Sequence, residues 1–317
     1  MTKILITGGT GFMGANLVHK LSSSSKNQIH LLTRNSSNYW RINNIQEKLN
    51  IHKVDLLEQK KIERIVKKIN PEIVFHMAVY GIRGSENDIC KTVENNILGT
   101  INLFSALENS NNLKRIVNIG TQSEYGLKTN NRSCLETDPL KPITSYGIAK
   151  TAQTHFANFY FLKKLPVVTL RVFSPFGKYE DKGRLTTDIM LSLVNNTQLT
   201  ISSPFITRDF IFIDDVINAL IIASKKPKID GEIFNIGSGH KYMIKEIIEL
   251  SPNASQLKSN ILFSETKKRP FDQMGGKGLV ANINKANKIL GWKPKFSIKD
   301  GLKKSYEWFE ENNYLYR

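Results

Sequence analysis

The chain contains little cysteine and no long apolar run. Only two of its 317 residues are cysteines, Cys90 and Cys134, and they have neither the spacing of a metal site nor the number that a disulfide framework needs. No stretch approaches the roughly 18 consecutive apolar residues of a membrane-spanning helix. The histidines form no ligand cluster in the sequence. We therefore expect a protein of the reducing cytoplasm that works without a metal ion and without a membrane.

Acidic residues are few relative to basic ones. Lys and Arg number 45 and Asp and Glu number 28, which gives a formal net charge of +17. Such a charge on its own favours a nucleic-acid partner. The basic residues, however, are scattered along the whole sequence, and their longest cluster is only Lys267-Lys268-Arg269. We therefore expect no nucleic-acid binding, because a pocket for a small anionic substrate accounts for basic residues equally well.

Short apolar runs alternate with helical patterns through the first half of the chain. This alternation is typical of βαβ units and a parallel sheet. The fold class predicted from it is α/β, with a doubly wound parallel Rossmann sheet. The predicted strands lie at 4–6, 29–32, 51–54, 73–75, 115–119 and 167–170, and the predicted helices at about 11–21, 60–69, 92–110 and 145–162.

The alternation stops after residue 171. One helical pattern follows at about 185–195, and then an extended run at 210–213. Asp214-Asp215 would cap a helix that runs to about residue 224, and a further strand is predicted at 233–236. Helical patterns continue to the C-terminus.

No repeat and no low-complexity linker separates the two halves, so we expect two interleaved domains. The dinucleotide-binding domain is predicted at 1–173 plus about 205–241. A smaller C-terminal substrate lobe is predicted from about 174–204 and 242–317.

A glycine-rich turn links the first predicted strand to the first helix. It reads Thr-Gly-Gly-Thr-Gly-Phe-Met-Gly over residues 7–14. Gly8 lets the chain turn sharply, Gly11 lets backbone approach a pyrophosphate, and Gly14 lets the helix pack on the strand. Phe12 and Met13 open the helix, whose N–H groups and dipole attract phosphate. The strand–turn–helix context favours a dinucleotide site over a plain glycine turn.

The end of the second predicted strand indicates which dinucleotide binds. An acidic residue there would bond the ribose 2′-hydroxyl of NAD, but the position holds Arg34. Arg34 can pair with a 2′-phosphate, and Asn35 and Ser36 can add hydrogen bonds. We therefore favour NADP over NAD, the alternative being that Arg34 is a solvated loop residue. Asp55 and Leu56, just past the third strand, fit the adenine edge.

Tyr146 and Lys150 open the helix predicted at 145–162, and their spacing of four puts them on one helix face. A tyrosine has an ordinary pKa near 10, and a nearby cation favours its ionised form. This spacing is common by accident. It gains meaning here because it follows a dinucleotide loop and a hydroxyl residue, Thr121, at the end of the fifth strand.

Further segments complete the pattern. They are His76-Met77-Ala78, Asn96-Ile97-Leu98-Gly99-Thr100, the run from Arg171 to Gly177, Arg208-Asp209-Phe210 and Arg269-Pro270-Phe271-Asp272.

Taken together, these motifs resemble the extended short-chain dehydrogenases/reductases of the NAD-dependent epimerase/dehydratase family, which modify nucleotide sugars. The resemblance runs through nearly the whole chain. It implies Thr121, Tyr146 and Lys150 as catalytic residues, with Tyr146 and Lys150 also contacting the cofactor. In that family the asparagine that matches Asn96 supports the active-site lysine through the backbone. The resemblance further implies cofactor contacts from Met77, Ala78, Asn96 and Phe173, and substrate contacts from Gln122, Ser123, Ser174, Arg208 and Arg269.

Two departures from the family pattern bear on the reaction. Sugar 4,6-dehydratases carry an Asp-Glu pair directly after the catalytic threonine, and this chain has Gln122-Ser123. Glu124 comes one place later and is expected by strand alternation to point elsewhere. Ser174 also replaces the usual asparagine, which puts one contact to the nucleotide sugar in doubt.

The sequence therefore predicts an NADPH-dependent reductase of a 4-keto nucleotide sugar, 4-keto-6-deoxy in type, which serves polysaccharide biosynthesis. Tyr146 would protonate the oxygen at C4, and Arg208 and Arg269 would hold the diphosphate. One alternative is a 4-epimerase with a tightly held NAD. Another is a cofactor-binding protein without catalysis. The resemblance also implies a homodimer through a four-helix bundle of helices 92–110 and 145–162, to which Phe156, Phe159 and Tyr160 would offer apolar surface.

Overall fold

The structure is a computed structural model and describes residues 1–81, 88–128, 132–201, 203–264 and 278–316. The chain forms two compact units. The first comprises Met1–Gly126, Pro139–Arg171 and Ile217–Phe234. The second comprises Leu127–Asp138, Val172–Val216 and Asn235–Arg317. The division of cofactor and substrate between domains with the boundaries expected above stays a prediction.

The predicted Rossmann class is confirmed by a sheet of seven strands in the described part of the chain. Its order is β11-β6-β5-β4-β1-β2-β3, and the pairs whose register is resolved are parallel. The strand order reverses between the first and fourth strands, which is where such sheets bind ligands. The strands are β1 (Thr2–Thr7), β2 (Asn27–Thr33), β3 (Leu49–Lys53), β4 (Ile73–His76), β5 (Arg115–Thr121), β6 (Val167–Val172), β7 (Pro175–Phe176), β8 (Leu199–Ile201), β9 (Thr207–Arg208), β10 (Ile211–Phe212), β11 (Ile233–Ile236), β12 (Tyr242–Met243) and β13 (Ile261–Phe263).

Helices alternate with the strands of this sheet, as the apolar spacing predicted. None of the helices in the described ranges has the length and apolarity to cross a membrane. The helices are α1 (Phe12–Ser22), α2 (Gln59–Ile69), α3 (Ile89–Val93), α4 (Gly99–Leu107), α5 (Ser145–Leu162), α6 (Leu185–Asn195), α7 (Ile213–Lys225), α8 (Ile244–Leu250), α9 (Ala254–Ser259) and α10 (Ile298–Asn312), with π-helical turns at Glu94–Leu98 and Ala286–Leu290.

An apolar core lies against the sheet in the first unit. α2 buries Ile62, Val66 and Ile69, which lie on one face of the helix. These side chains pack with Leu5 and Phe104 and other members of one buried cluster. Removal of this apolar surface from water is the main term that holds α2 on the sheet.

The single helix predicted at 92–110 is wrong in detail. The segment is α3, then the π-helical turn Glu94–Leu98, then α4. The π turn lets the buried Asn96 face inward, where its amide donates to the Tyr80 carbonyl and accepts from the Tyr80 N–H, at 2.8 and 2.9 Å. Hydrophobic periodicity does not detect the one extra residue of such a turn.

The predicted capping by Asp214 and Asp215 is also wrong. α7 begins at Ile213, so both acids lie in its first turn. The carboxylate of Asp215 instead accepts hydrogen bonds from the N–H groups of Lys295 and Phe296, at 2.9 and 3.1 Å. It therefore ties a distant loop of the second unit to α7.

The second unit contains three small two-stranded sheets among its described residues. β7 pairs with β10, β9 with β12, and β8 with β13. The buried carboxylate of Asp209, which follows β9, accepts from the N–H groups of Ser238, Gly239 and Ala281. Burial, opposed by these hydrogen bonds, raises the pKa of Asp209 to about 6. Asp209 thereby joins three segments of this unit.

Candidate active site

The glycine-rich turn after β1 packs directly against the end of β4. Gly8 has a φ of +70°, and a Cβ atom there would lie 2.6 Å from the backbone of Met77 and Ala78. A Cβ atom on Gly14 would lie 2.0 Å from the Gly8 carbonyl oxygen. Only glycine fits at these two positions. The turn therefore brings the N-terminus of α1 to the point where the strand order reverses.

The N-terminus of α1 has room for an anion. Gly11 is its N-cap, and within the described chain no side chain caps it. A Cβ atom on Gly11 would approach the Gly8 carbonyl oxygen at 3.4 Å, an ordinary contact. Phe12 and Met13 form the first turn with half-buried side chains. Because uncapped N–H groups at a helix end bind phosphate, these residues fit the pyrophosphate of a dinucleotide.

His76, at the end of β4, is buried between two threonine hydroxyls. Its Nδ1 and Nε2 atoms each lie 2.8 Å from a hydroxyl oxygen, that of Thr7 and that of Thr100 respectively. Thr100 donates its hydroxyl hydrogen to the carbonyl oxygen of Asn96, so Nε2 of His76 carries a hydrogen and Nδ1 accepts from Thr7. Burial, together with a nearby lysine charge, lowers the pKa of His76 to about 3. The imidazole is therefore neutral at physiological pH.

The hydroxyl of Thr7 also holds the backbone that follows β4. Its hydroxyl oxygen accepts hydrogen bonds from the N–H groups of Met77 and Ala78, both at 3.1 Å. Two of the predicted cofactor contacts are thus held beside the glycine-rich turn. Asn96, a third, exchanges two hydrogen bonds with the backbone of Tyr80, and its support of the active-site lysine through the backbone stays a prediction.

The end of β2 carries the residues predicted to select the cofactor. Arg34, Asn35 and Ser36 are all exposed, and the Arg34 N–H donates to the Ser37 hydroxyl at 3.0 Å. The side chain of Arg34 therefore lies in solvent at this edge of the sheet. Its exposure is compatible with both earlier interpretations, a contact to a 2′-phosphate and a solvated loop residue.

A second arginine lies at the same edge of the sheet. Arg41 is buried, and its Nη1 donates to the carbonyl oxygen of Thr10 in the glycine-rich turn, at 3.4 Å. Its guanidinium carbon lies 4.3 Å from the ring centroid of Trp40, a cation–π geometry. The first acidic residue of the whole sequence is Glu47. The β1–α1–β2 segment therefore has no carboxylate of its own to bond a ribose 2′-hydroxyl.

Asp55 and Leu56 follow β3, where the sequence placed the adenine edge. The Asp55 carboxylate accepts from the Leu57 N–H at 2.9 Å, which forms a tight turn. Leu56 packs against the apolar core, and its carbonyl oxygen accepts from the amide of Asn102 at 2.9 Å. The contact of both residues with adenine stays a prediction.

Thr121 ends β5 and begins a short 3₁₀ turn, Gln122–Glu124. Its hydroxyl accepts from the Ser123 N–H at 3.3 Å, and its N–H donates to Oε1 of Glu124 at 2.8 Å. This reciprocal pattern is a capping box. Gln122 and Ser123 are half-buried. The turn therefore fixes the backbone on which the Thr121 hydroxyl stands.

The helix that carries Tyr146 packs tightly on this turn. The hydroxyl of Thr144 caps α5 by accepting from the Gly147 N–H at 3.0 Å. A Cβ atom on Gly147 would lie 2.7 Å from the carbonyl oxygen of Ser123. Glycine at 147 therefore lets the first turn of α5, with the half-buried Tyr146, lie against the turn that holds Thr121.

Lys150 lies one turn further along α5 and is buried. Its Nζ donates to the carbonyl oxygen of Ile119 on β5 and to Oε1 of Gln153. Burial lowers the pKa of Lys150 to about 8, and the charge of Glu124 opposes this effect. The ammonium is therefore charged at neutral pH but loses its proton more easily than an exposed lysine. The structure thus packs the first turns of α5, which carry Tyr146 and Lys150, against the segment 119–123 that carries Thr121. We call these three residues the predicted catalytic cluster.

Glu124 does not reach this cluster as an acid. Its Oε2 accepts from Nε of Arg171 at 2.8 Å, and both side chains are buried. A Cβ atom on Gly120 would lie 2.6 Å from the Glu124 carboxylate, so glycine leaves room for the ion pair. The expectation that the Glu124 side chain points away rested on strand alternation. That reason is wrong, because the strand ends at Thr121 and Glu124 lies in the 3₁₀ turn.

Ser174 and Arg208 belong to the second unit, as does Phe173. Phe173 is buried, and its N–H donates to the Ile236 carbonyl oxygen at 2.9 Å. Ser174 is half-buried, and its carbonyl oxygen accepts from the Ile211 N–H at 3.1 Å. Arg208 is half-buried, and its Nη1 donates to the Thr207 carbonyl oxygen at 2.8 Å. Arg269 lies outside the described residues.

Known proteins match the chain over almost its full length. A family model described as GDP-mannose 4,6 dehydratase matches residues 5–305. A dTDP-D-glucose 4,6-dehydratase of Dictyostelium discoideum is 28% identical over 98% of this chain and 82% of its own. A putative UDP-glucose 4-epimerase of Methanocaldococcus jannaschii is 27% identical over 98% of this chain and 99% of its own. The crystal structure of a UDP-glucuronic acid 4-epimerase from Bacillus cereus, in complex with UDP-glucuronic acid and NAD, has a TM-score of 0.82 and 26% identity, and the match covers 98% of this chain and 99% of that one.

The chain belongs to the extended short-chain dehydrogenases/reductases, in the NAD-dependent epimerase/dehydratase family. The sequence-based resemblance is thereby confirmed, and the protein is an enzyme of the oxidoreductase type. Its relatives include both dehydratases and epimerases. Membership in the family therefore indicates the kind of substrate, a nucleotide sugar. It does not determine the reaction, which has to be inferred from the particular residues of this chain.

Three residues of this family member were missed by sequence reasoning. Gln153 accepts a hydrogen bond from Lys150, Asn118 accepts one from Gln153, and Arg41 reaches the glycine-rich turn. The sequence did contain a signal about the cofactor-binding edge of the sheet, because no acidic residue precedes Glu47. For Asn118 the signal was a polar residue within the otherwise apolar fifth strand. Among the described residues, no three His, Cys, Asp or Glu side chains come together as metal ligands would.

Proposed function

We propose that this enzyme is an NADPH-dependent reductase that acts at C4 of a 4-keto-6-deoxy nucleotide sugar. A bound reduced nicotinamide supplies a hydride to the carbonyl carbon. Tyr146 donates the proton that the resulting C4 oxygen needs, and Thr121 donates a hydrogen bond to the same oxygen. Lys150 bonds the cofactor ribose and makes Tyr146 more acidic by its charge. The product would serve polysaccharide biosynthesis.

The observation that carries this proposal is the pairing of Glu124 with Arg171. A 4,6-dehydratase needs acids beside the catalytic threonine to eliminate water. Here the positions directly after Thr121 are Gln122 and Ser123, and the next carboxylate is buried in an ion pair. An enzyme without those acids cannot make a 4-keto-6-deoxy sugar by eliminating water. It therefore depends on an elimination reaction elsewhere to supply that substrate.

The edge of β2 supports NADP as the cofactor. Arg34 and Arg41 are two cations at this edge, and no acidic residue precedes Glu47. A 2′-phosphate carries negative charge that guanidinium groups bind well. A cofactor that is consumed and exchanged suits a reductase, whereas an epimerase regains its hydride in every cycle.

A 4-epimerase with a resident NAD is the second candidate. The Bacillus cereus epimerase, at 26% identity, was crystallised with NAD and UDP-glucuronic acid. The Thr121, Tyr146 and Lys150 cluster would serve that reaction equally well, because it also requires oxidation and reduction at C4. A binding protein without catalysis fits less well, since it needs none of the three residues.

We further propose that the first unit holds the dinucleotide. The second unit would hold the nucleotide sugar, with Arg208 and Arg269 on its diphosphate. We also propose that two copies associate through α5 and the α3–α4 segment. Of the three aromatic residues expected to offer apolar surface, Phe159 is exposed and Phe156 is half-buried, but the expectation for Tyr160 is wrong because it is buried in the core of the first unit. Ile89, Leu98 and Leu162 are also exposed on these helices and would be covered in such a dimer.

The experiment for the reaction is a panel of 4-keto and 4-hydroxy nucleotide sugars with NADPH or NADH. The proposal expects consumption of NADPH with a 4-keto substrate, and little reaction with the 4-hydroxy sugar alone. Conversion between two 4-hydroxy epimers without added cofactor would establish the epimerase instead.

A further inference from the structure

A line of buried amides runs from β6 to the active-site lysine. Asn118 on β5 donates through Nδ2 to the Thr169 hydroxyl at 3.1 Å. Gln153 on α5 donates through Nε2 to Oδ1 of Asn118 at 2.7 Å. Oε1 of Gln153 then accepts from Nζ of Lys150. All four side chains are buried, so each hydrogen bond is shielded from water.

This line fixes the direction in which Gln153 points. The Nε2 group of Gln153 is used by Asn118, so its oxygen is the atom left to face Lys150. Gln153 stands three residues after Lys150, on the same helix face. The Ile119 carbonyl oxygen is the second acceptor on Nζ. Both acceptors are neutral oxygens, so they orient the ammonium without cancelling its charge.

The charged and titratable groups around Lys150 do not neutralise the positive charge of its ammonium group. Glu124 approaches from the 3₁₀ turn, but its carboxylate is paired with Arg171 on β6. His76 approaches from β4 and is neutral, because burial lowers its pKa to about 3. Tyr146 is the titratable neighbour on α5 itself. The positive charge of the ammonium is thus available to Tyr146 and to a bound cofactor.

We propose that Gln153 is a positioning residue, which holds the Lys150 ammonium through a neutral oxygen so that its charge acts on Tyr146 and the cofactor ribose. This inference rests on the nicotinamide chemistry of the proposed function, and it holds for the reductase and the epimerase alike. A carboxylate at the same position would hold Nζ equally well but would neutralise its charge. If Gln153 had a purely structural role, an amide and a carboxylate at this position would have the same effect.

The test compares Gln153→Glu and Gln153→Met with a control, Thr154→Val. Thr154 is the next residue on α5, is buried, and has a hydroxyl oxygen without a hydrogen-bond partner among the described residues. The measurements are the dissociation constant of NADPH, followed by its fluorescence across the pH range, and the thermal unfolding of each variant. Protein freed of any bound cofactor is titrated with NADPH and, in parallel, with NADH, and the cofactor that the unaltered enzyme binds more tightly is used for the comparison. Cofactor binding needs no sugar, so the test is independent of which reaction the enzyme performs.

Burial lowers the pKa of Lys150 to about 8, so the unaltered enzyme should bind NADPH more weakly as the pH rises through that value. In Gln153→Glu the alkaline loss should move up by about one to three pH units, because a carboxylate favours the ammonium. In Gln153→Met it should move down, and in Thr154→Val it should not move. With an active substrate, Gln153→Glu should lower kcat and leave KM for the sugar unchanged.

Coinciding alkaline limits in the unaltered enzyme and in Gln153→Glu would overturn the proposal. If Gln153→Met fails to fold, the comparison with Gln153→Glu decides alone. If the limits shift as expected but no 4-keto sugar is reduced, the proposed reductase falls and the role of Gln153 stands.

Discussion

Glu124 and Arg171 form a buried ion pair, with 2.8 Å between Oε2 and Nε. The pair joins the turn after β5 to β6. The same carboxylate accepts from the Thr121 N–H, so the ion pair also fixes the position of the catalytic threonine. The carboxylate of Glu124 therefore has a structural role.

Glu124→Gln should destabilise the protein strongly. It leaves the buried guanidinium of Arg171 without its counter-charge, and breaking a buried ion pair typically costs about 3–5 kcal/mol. The free energy of unfolding in urea measures this loss. The control is Glu108→Gln, which removes an exposed ion pair with Lys163 and should cost less than about 1 kcal/mol. Equal losses in the two variants would contradict the structural role.

Tyr146→Phe should abolish most of the turnover and leave cofactor binding nearly intact. Removal of a positioned proton donor typically lowers the rate about 10²–10⁴-fold. Tyr160→Phe is the matched control on the same helix. It removes a hydroxyl near the C-terminal end of α5, which shares a hydrogen bond with the hydroxyl of Ser105 on α4. Initial rates and NADPH titrations check both variants. Unchanged turnover in Tyr146→Phe would mean that Thr121 and Lys150 also lose their assigned roles.

Arg34→Asp should reverse or level a preference for NADPH over NADH. The change removes a cation at the end of β2 and adds the carboxylate that a ribose 2′-hydroxyl can bond. The affinity for NADPH should fall roughly ten- to a hundredfold, as expected for a lost charged hydrogen bond. Lys26→Asp, exposed at the opposite end of β2, is the control and should change neither affinity. If the unaltered enzyme binds both cofactors equally, the assignment of Arg34 fails.

Glu180→Gln should stabilise the protein at alkaline pH. The carboxylate of Glu180 is buried and accepts from the hydroxyls of Thr186 and Thr187 at 2.6 and 3.0 Å. Burial raises the pKa of Glu180 from 4.5 to about 7, so the folded chain holds this proton more tightly than the unfolded chain. The resulting stability is present below pH 4.5 and is lost as the pH rises to about 7, by about 3 kcal/mol in total.

The free energy of unfolding at about pH 5 and pH 8 tests this sign. The amide that replaces the carboxyl of Glu180 does not titrate, so the advantage of Glu180→Gln over the unaltered protein should grow between the two pH values. Glu311→Gln, at an exposed position of α10, should show the same difference at both pH values. A constant difference for Glu180→Gln as well would refute the titration of this group.

Much of the fold follows from local sequence signals. α5 has the predicted bounds, Ser145–Leu162, because a threonine caps it and its apolar spacing is continuous. The glycine-rich turn was predictable because Gly8 and Gly14 satisfy steric requirements that no other residue meets. The positions of Thr121, Tyr146 and Lys150 followed from the family pattern.

Other features depend on contacts between residues far apart in sequence. The ion pair of Glu124 joins residues 47 positions apart, and strand alternation could not reveal it because β5 ends before Glu124. Asn118 and Gln153 meet only when α5 packs on β5. The π-helical turn at Asn96 adds one residue that apolar periodicity does not register. Pairwise tertiary contacts, rather than local pattern, decide these features.

Transfer of deuterium from labelled cofactor to sugar tests the central claim most directly. The enzyme is incubated with NADPH that carries deuterium at the transferred position, together with a 4-keto nucleotide sugar, and the product is examined by NMR. A reductase should place one deuterium at C4 for every NADPH consumed, and Tyr146→Phe should suppress the transfer. Interconversion of 4-hydroxy sugars with no consumption of NADPH and no deuterium at C4 would contradict the reductase and favour the epimerase.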